Sequence, residues 1–287
     1  MIDAQSQESR ARNFALRVAS AAVLAPAVLV LTYIGGWPFL AVCFLGAVGI
    51  LYEWTLLVAR RPAPGILIPG TIAIVAAALL AGVAMPNAAL IAIAMGAAAA
   101  ALSSAKASDD AWGFRVAGWA AGGVIYAGAA LLGPALLRRD AQWGLIALLL
   151  LFATVWATDI FAFFCGRVLG GPLLWPRVSP KKTWSGAVGG LAGGVAAGLG
   201  VAYTVGVGKL GIIGAMALLL SVLAQAGDLL ESAIKRRFDA KDSGAFIPGH
   251  GGLMDRLDGF LVAAFFALVI GALRYGTAAP ATGLLVW

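Results

Sequence analysis

SAIKRRFDAKDSGAFIPGHGGLMDRLD, residues 232–258, gathers five basic residues (Lys235, Arg236, Arg237, Lys241, Arg256), four acidic ones (Asp239, Asp242, Asp255, Asp258) and the chain's single histidine, His250, in a protein only 11% charged. Apolar sequence closes in on both sides of this window. The charges must therefore stand at the edge of a membrane or in a polar cavity within it, where unpaired charge is costly.

Working outward, the 287 residues are 62% hydrophobic and their mean hydropathy is +0.95, which leaves too little polar surface to cover a soluble globule. A span needs about 20 mainly apolar residues. The sequence predicts an all-α membrane protein with about nine transmembrane helices, near 18–34, 39–58, 66–84, 87–102, 116–137, 143–164, 187–205, 210–230 and 257–273. A polar tail, 1–17, precedes an N-terminal transmembrane scaffold, 18–140, and a C-terminal region, 141–287, that carries the chemistry. Arg10, Arg12 and Arg17 could open a signal peptide, but no small-residue cleavage site follows and the first helix is read as retained. Cys43 and Cys165 lie apart in apolar stretches and are read as small core residues. Glu53 is the one acid in the first two spans, either a helix-end residue or a buried partner for an arginine. Ser103–Arg115 reads as a solvated loop, and the run from Gly166 to Gly186 as a long polar one.

The formal charge of +7 is explained first by topology, not by nucleic acid, because basic residues remain on the cytoplasmic side. With nine spans and an internal N-terminus, 16 of the 20 lysines and arginines fall inside, against Arg138, Arg139, Lys209 and Arg274 outside. Both charged loops, the one after span six and the one after span eight, then share the cytoplasmic face and can form one site in a cavity there. Glycines 186, 190, 194 and 198, with 189 and 193, make a small-residue ladder that lets helix backbones approach closely. It is a packing device within the chain or between two copies, so a homodimer is compatible with it.

On a continuing helix Asp228, Glu231, Ser232 and Lys235 share one face, and Asp255 and Asp258 are spaced i, i+3 at the start of the last span. Three carboxylates, Asp228, Asp255 and Asp258, could thus meet at one point. Clustered carboxylates repel unless something positive lies between them, and Mg²⁺ held by one or two carboxylates plus phosphate oxygens is the usual solution. The alternative is a structural network with Lys235, Arg236 or Arg256. Lys235, Arg236, Lys241 and Arg256 suit phosphate, and Gly249, Gly251 and Gly252 permit a close backbone approach. Ser179, Lys181, Lys182 and Thr183 add a second basic and hydroxyl-bearing group. There is no P-loop, and without the acids the lysines would read as a patch for anionic lipid headgroups. His250 is read as a hydrogen-bonding residue in preference to a general base, since a phosphate monoester is mostly dianionic at neutral pH.

Ser232-x-x-Lys235-Arg236, Lys241-Asp242, Gly244, Ile247-Pro248, His250-Gly251-Gly252, Asp255-Arg256 and Asp258 together resemble the signature of phosphatidate cytidylyltransferases, the CDP-diacylglycerol synthases. Asp159, Gly166-Arg167, Ser179-Pro180-Lys181-Lys182-Thr183-Trp184, Gly186 and Gly227-Asp228 are similar to that family as well, so the specific match covers about 159–258. Ser185 and Phe163 stand where the family commonly has an acid and a Tyr, and no role for an acid or phenol is carried over there. The resemblance implies CTP and phosphatidate as substrates, CDP-diacylglycerol and pyrophosphate as products, and Mg²⁺, with a monovalent cation such as K⁺, as cofactor. It implies catalytic roles for Asp228, Lys235, Asp255 and Asp258, the three aspartates holding metal. Substrate binding is implied for Asp159, Ser179, Lys181, Lys182, Thr183, Ser232, Arg236, Lys241, His250 and Arg256. The implied setting is a bacterial inner (plasma) membrane, with the acyl chains entering from the membrane lipids. Rival readings are another CTP-using lipid enzyme, a prenol kinase or ether-lipid cytidylyltransferase, and a transporter of an anionic solute. The transporter is disfavoured because the charges cluster on one side and no internal repeat is evident.

Overall fold

The computed structural model describes residues 22–106, 111–207, 209–244 and 252–287, with only the backbone described for 111–115. In chain order the helices are α1 (Ala22–Ile34), α2 (Gly36–Ala59), α3 (Pro64–Gly82), α4 (Pro86–Lys106), α5 (Ala111–Arg139) and α6 (Gly144–Leu169). A hairpin of β1 (Leu173–Trp175) and β2 (Ser179–Thr183) follows, then α7 (Trp184–Thr204), α8 (Leu210–Arg237), α9 (Met254–Tyr275) and a short α10 (Pro280–Leu285). Among the described residues, eight helices are long and apolar enough to cross a membrane. The expected first span, 18–34, is described only from Ala22. The expected tail, 1–17, lies outside the described residues, as do His250, Gly249 and Gly251.

Two expectations from sequence are corrected. The segment 103–115 is largely helical, because α4 runs on to Lys106 and α5 begins at Ala111. Ser103 explains part of this: its hydroxyl bonds back to Ala100 O and across to Gly65 O, so a polar residue is satisfied without leaving the helix. The stretch after span six is not a structureless loop. The helix continues past Phe164 to Leu169, stops where Gly170 and Gly171 take φ of +60° and +102°, and gives way to an antiparallel hairpin pairing Leu173 with Thr183 and Trp175 with Ser179. Finally, α10 had no expected counterpart.

Two layers of contact hold the bundle. α2 packs on α5, α3 on α4 and α4 on α5, while α6 packs on α7, α7 on α8 and α8 on α9; α5 meets α9 between the two groups. The glycine ladder of α7 is spent on α6: a Cβ at Gly186 would stand 2.8 Å from Ala162 O and one at Gly190 2.8 Å from Thr158 O. Ile50, Leu51, Leu131, Leu148, Leu151 and Leu220 are fully buried. In lipid such packing stabilises through dispersion and close approach, since hydrocarbon already solvates the side chains.

At one end of the bundle the four residues Arg138, Arg139, Asp140 and Arg274 close helix termini, whose last carbonyls and first amides have no intrahelical partner. Arg138 donates to Thr32 O (2.6 Å) and Tyr33 O (2.9 Å) at the end of α1. Arg139 donates to Ala81 O near the end of α3, and Arg274 to Gly283 O in α10 and Val286 O just after it. Asp140 accepts from Gln142 N and Trp143 N entering α6, and from Thr282 N and Oγ1 (both 2.7 Å) in α10. Three of the four basic residues expected outside thus have structural duties.

Candidate active site

The opposite end carries the chemistry. α8 and α9 cross at two glycines, where a Cβ at Gly227 would lie 2.7 Å from Asp258 O and one at Gly259 2.8 Å from Ala224 O. Each glycine is followed or preceded by an aspartate, so the close crossing of Gly227-Asp228 with Asp258-Gly259 brings the two acids together. Asp258 Oδ1 accepts from Gly259 N at 2.7 Å. Asp159, on α6, joins them: Asp159 and Asp258 each lie within electrostatic reach of the other's neighbour Asp228 and of the Lys182 ammonium.

Lys182 arrives from the hairpin. Thr183 ends β2 and caps α7, its hydroxyl accepting from Gly186 N at 3.1 Å, and Ser185 ties the hairpin shut through Thr183 Oγ1 (3.0 Å) and Gly170 O. The side chain of Lys182 forms an ion pair with Asp228. Ser185, standing where the family commonly has an acid, is therefore used to hold the turn. Ser179 opens β2 and Lys181 is exposed beside Lys182.

Asp255, expected beside Asp228 and Asp258, belongs to a neighbouring network. Lys235 Nζ lies 2.5 Å from Asp255 Oδ1 and 2.7 Å from Glu231 Oε2, and Asp255 Oδ2 accepts from Ser243 N (3.1 Å) and Gly252 N (3.0 Å). Among the described residues, Arg236 donates to Ala240 O at 3.5 Å. Ser232 is half-buried on α8, and Lys241 and Arg256 are exposed. His250 lies outside the described residues.

Sequence reasoning left three participants without a role. Glu53 is 1% exposed and accepts from Leu253 N (2.8 Å), Met254 N (2.8 Å) and Ser243 Oγ (3.3 Å). The choice left open for it, helix end or arginine partner, resolves as a cap on a distant helix. Glu231 was seen to share a face with Asp228 and Lys235. Tyr126, on α5, gave no signal; among the described residues its buried hydroxyl has no hydrogen-bond partner, and neither does Glu231 Oε1.

Among the described residues no three acidic, histidine or cysteine side chains converge closely enough to ligate an ion by themselves. The donor set nevertheless suits a hydrated divalent cation. Asp159, Asp228 and Asp258 set three carboxylates against one ammonium, and the orphaned Tyr126 hydroxyl and Glu231 oxygen beside them leave polar groups for water to satisfy. Mg²⁺ keeps several waters and takes only one or two carboxylates, so a full protein cage is not required.

Among the described residues, eight helices long and apolar enough to cross a membrane, with acids and lysines gathered at one end, describe a multi-pass membrane protein equipped for an anionic, phosphate-bearing substrate. The pattern of the Cytidylyltransferase family matches residues 15–273, and the chain belongs to that family. Among its curated relatives, the phosphatidate cytidylyltransferase of Brucella abortus (strain 9-941) is 41% identical over 264 residues, 91% of this chain and 94% of that protein. The enzyme of the same name from Bacillus subtilis (strain 168) is 41% identical over 141 residues, 48% of this chain and 51% of the relative. That from Staphylococcus aureus (strain COL) is 43% identical over 119 residues, 41% and 46% respectively.

Proposed function

We propose that this protein is a CTP:phosphatidate cytidylyltransferase, joining CTP and phosphatidate into CDP-diacylglycerol with release of pyrophosphate. Membership of the Cytidylyltransferase family and the likeness to the Brucella abortus enzyme along nearly its whole length support the reading. The observation that carries it is the Gly227–Gly259 crossing, which sets Asp228 beside Asp258 with Lys182 on Asp228.

A phosphate oxygen of the lipid bonds to the α-phosphorus of CTP, and the bond from that phosphorus to the bridging oxygen breaks as pyrophosphate leaves. Such transfers ask the protein mainly for positioning and charge neutralisation. Asp228 and Asp258, with Asp159 beside them, would hold Mg²⁺, which when bound offsets the negative charge of the triphosphate. The expected monovalent cation, K⁺, would serve the same electrostatic end. Lys182 and Lys181 next to it would grip phosphate from the hairpin. Lys235 would bind a phosphate oxygen from the other side while Asp255 and Glu231 hold its ammonium in place. Arg236, Lys241 and Arg256 would complete the basic rim, with His250 donating a hydrogen bond and Ser179, Thr183 and Ser232 supplying hydroxyls.

Orientation follows from the charge bias: N-terminus and active site on the cytoplasmic face of a bacterial plasma membrane. The acyl chains would enter laterally between helices, where a polar cavity is tolerated in lipid. A homodimer, the further partner expected, would use faces other than the α7 ladder, which α6 occupies.

The test is purified protein with CTP labelled in its cytosine, phosphatidate and Mg²⁺. The reading expects one pyrophosphate per labelled lipid. Release of CDP with label absent from the lipid would make the protein a kinase, and solute flux across sealed vesicles without pyrophosphate would make it a transporter.

A further inference from the structure

The geometry points to Glu53 as a positioning residue for the transfer: a carboxylate from the N-terminal half that sets where α9 begins, and through it where Asp255 and Asp258 stand. The inference rests on the functional reading above.

The first amides of a helix have no intrahelical acceptor. In α9 the Met254 amide and the Leu253 amide before it both donate to Glu53, at 2.8 Å each, across about 200 residues of sequence. A negative charge at a helix N-terminus is electrostatically favourable as well. The surroundings are shaped to admit it. A Cβ at Gly244 would lie 2.9 Å from Glu53 Oε1, and one at Gly252 would lie 2.8 Å from Glu53 Oε2. Glycine at those two positions is what lets the carboxylate close on the backbone.

Glu53 and Asp255 also hold the same residue. Ser243 gives its hydroxyl to Glu53 and its amide to Asp255, and Asp255 in turn pairs with Lys235. Glu53, Ser243, Asp255 and Lys235 thus form one chain of contacts, with Asp258 one turn further along α9. An α-helix turns about 100° per residue, so a helix that started one residue early or late would swing Asp258 away from Asp228. Glu53 itself touches neither Asp228 nor Asp258, and its effect passes through the helix start.

The discriminating variant is Glu53→Gln, which keeps the shape but replaces one accepting oxygen by an NH₂ that faces donors. We expect purified, folded Glu53→Gln to lose about tenfold to a hundredfold in kcat, the scale of a small misplacement of reacting groups, with KM for CTP unchanged. The same variant should bind Mn²⁺ more weakly in the absence of substrates, read by electron paramagnetic resonance, and should exchange the amides of 253 and 254 faster. A role confined to packing would speed that exchange but leave kcat and Mn²⁺ binding unmoved. Folded Glu53→Gln with wild-type kcat overturns the inference, as does a loss that appears in KM alone. If Glu53→Gln does not fold, Ser243→Ala, which removes only the hydroxyl bond, carries the test: a several-fold lower kcat at unchanged KM supports the inference and a wild-type kcat overturns it. Wild-type protein is assayed alongside. Absence of labelled lipid there would count against the functional reading, whereas amide protection at 253 and 254 reads the cap in either case.

Discussion

At the scale of single residues the account turns on which acids share a site. Asp228, Asp258 and Asp159 lie within electrostatic reach of one another, with Lys182 paired to Asp228, whereas Asp255 is engaged by Lys235 and two backbone amides. Asp258→Asn should therefore reduce turnover by about a hundredfold or more, as loss of one preorganised charge-stabilising group commonly does, while the protein remains folded in detergent; size exclusion and a pyrophosphate assay check both. Lys182→Glu should raise KM for CTP or lipid, because it reverses the charge of an ammonium paired with Asp228. An unchanged KM would leave the hairpin lysine as a topology signal only. The i, i+3 spacing of Asp255 and Asp258 was legible in the sequence. Their separation into two networks was not, because it depends on Ser243 and Gly252 folding back to take one oxygen of Asp255.

Among the elements, the crossing of α8 with α9 is the part that small residues make possible. Adding a methyl group to Gly259 would drive it to 2.8 Å from Ala224 O, while nothing lies within 4 Å at Gly211 of the same helix pair. Gly259→Ala should cost about 1–3 kcal/mol in stability, the usual scale of overpacking, and lower activity with it, and Gly211→Ala should cost neither; thermal unfolding in detergent reads the difference. Asp140 makes a similar cap at the far end. Burial would raise its carboxyl, but hydrogen bonds from Thr282, Trp143 and Gln142 outweigh that and hold it below its ordinary value. A depressed folded value means its stabilisation is complete above the unfolded value, about 3.9, and fades as pH falls through the lower folded one. Asp140→Asn should thus lose about 1–3 kcal/mol at neutral pH, with the gap to wild type closing in strongly acidic buffer. Helix positions were readable from apolar runs, but the hairpin was not, since three- and five-residue strands leave no usable periodicity.

For the whole molecule, helical order alternates the chain between two ends, one bearing Lys182, Lys235 and the acids, the other Arg138, Arg139 and Arg274. In the orientation proposed from the charge bias, the first end faces the cytoplasm. Single cysteines introduced at Lys181 and at Arg139 should then label from opposite sides of sealed inverted vesicles, Lys181→Cys from the accessible face; labelling of both from one face would refute the assigned orientation. The apolar helices and the two charged stretches were plain from hydropathy and charge, because lipid permits so few alternatives. The contribution of α2 was hidden, since a lone acid such as Glu53 gives no clue to a partner two hundred residues away. The most direct measurement follows labelled cytidine from CTP into lipid with wild-type protein and with Asp258→Asn at equal folded amounts. The account predicts one labelled CDP-lipid per pyrophosphate for the wild type and almost none for the variant; equal incorporation by the two would contradict it.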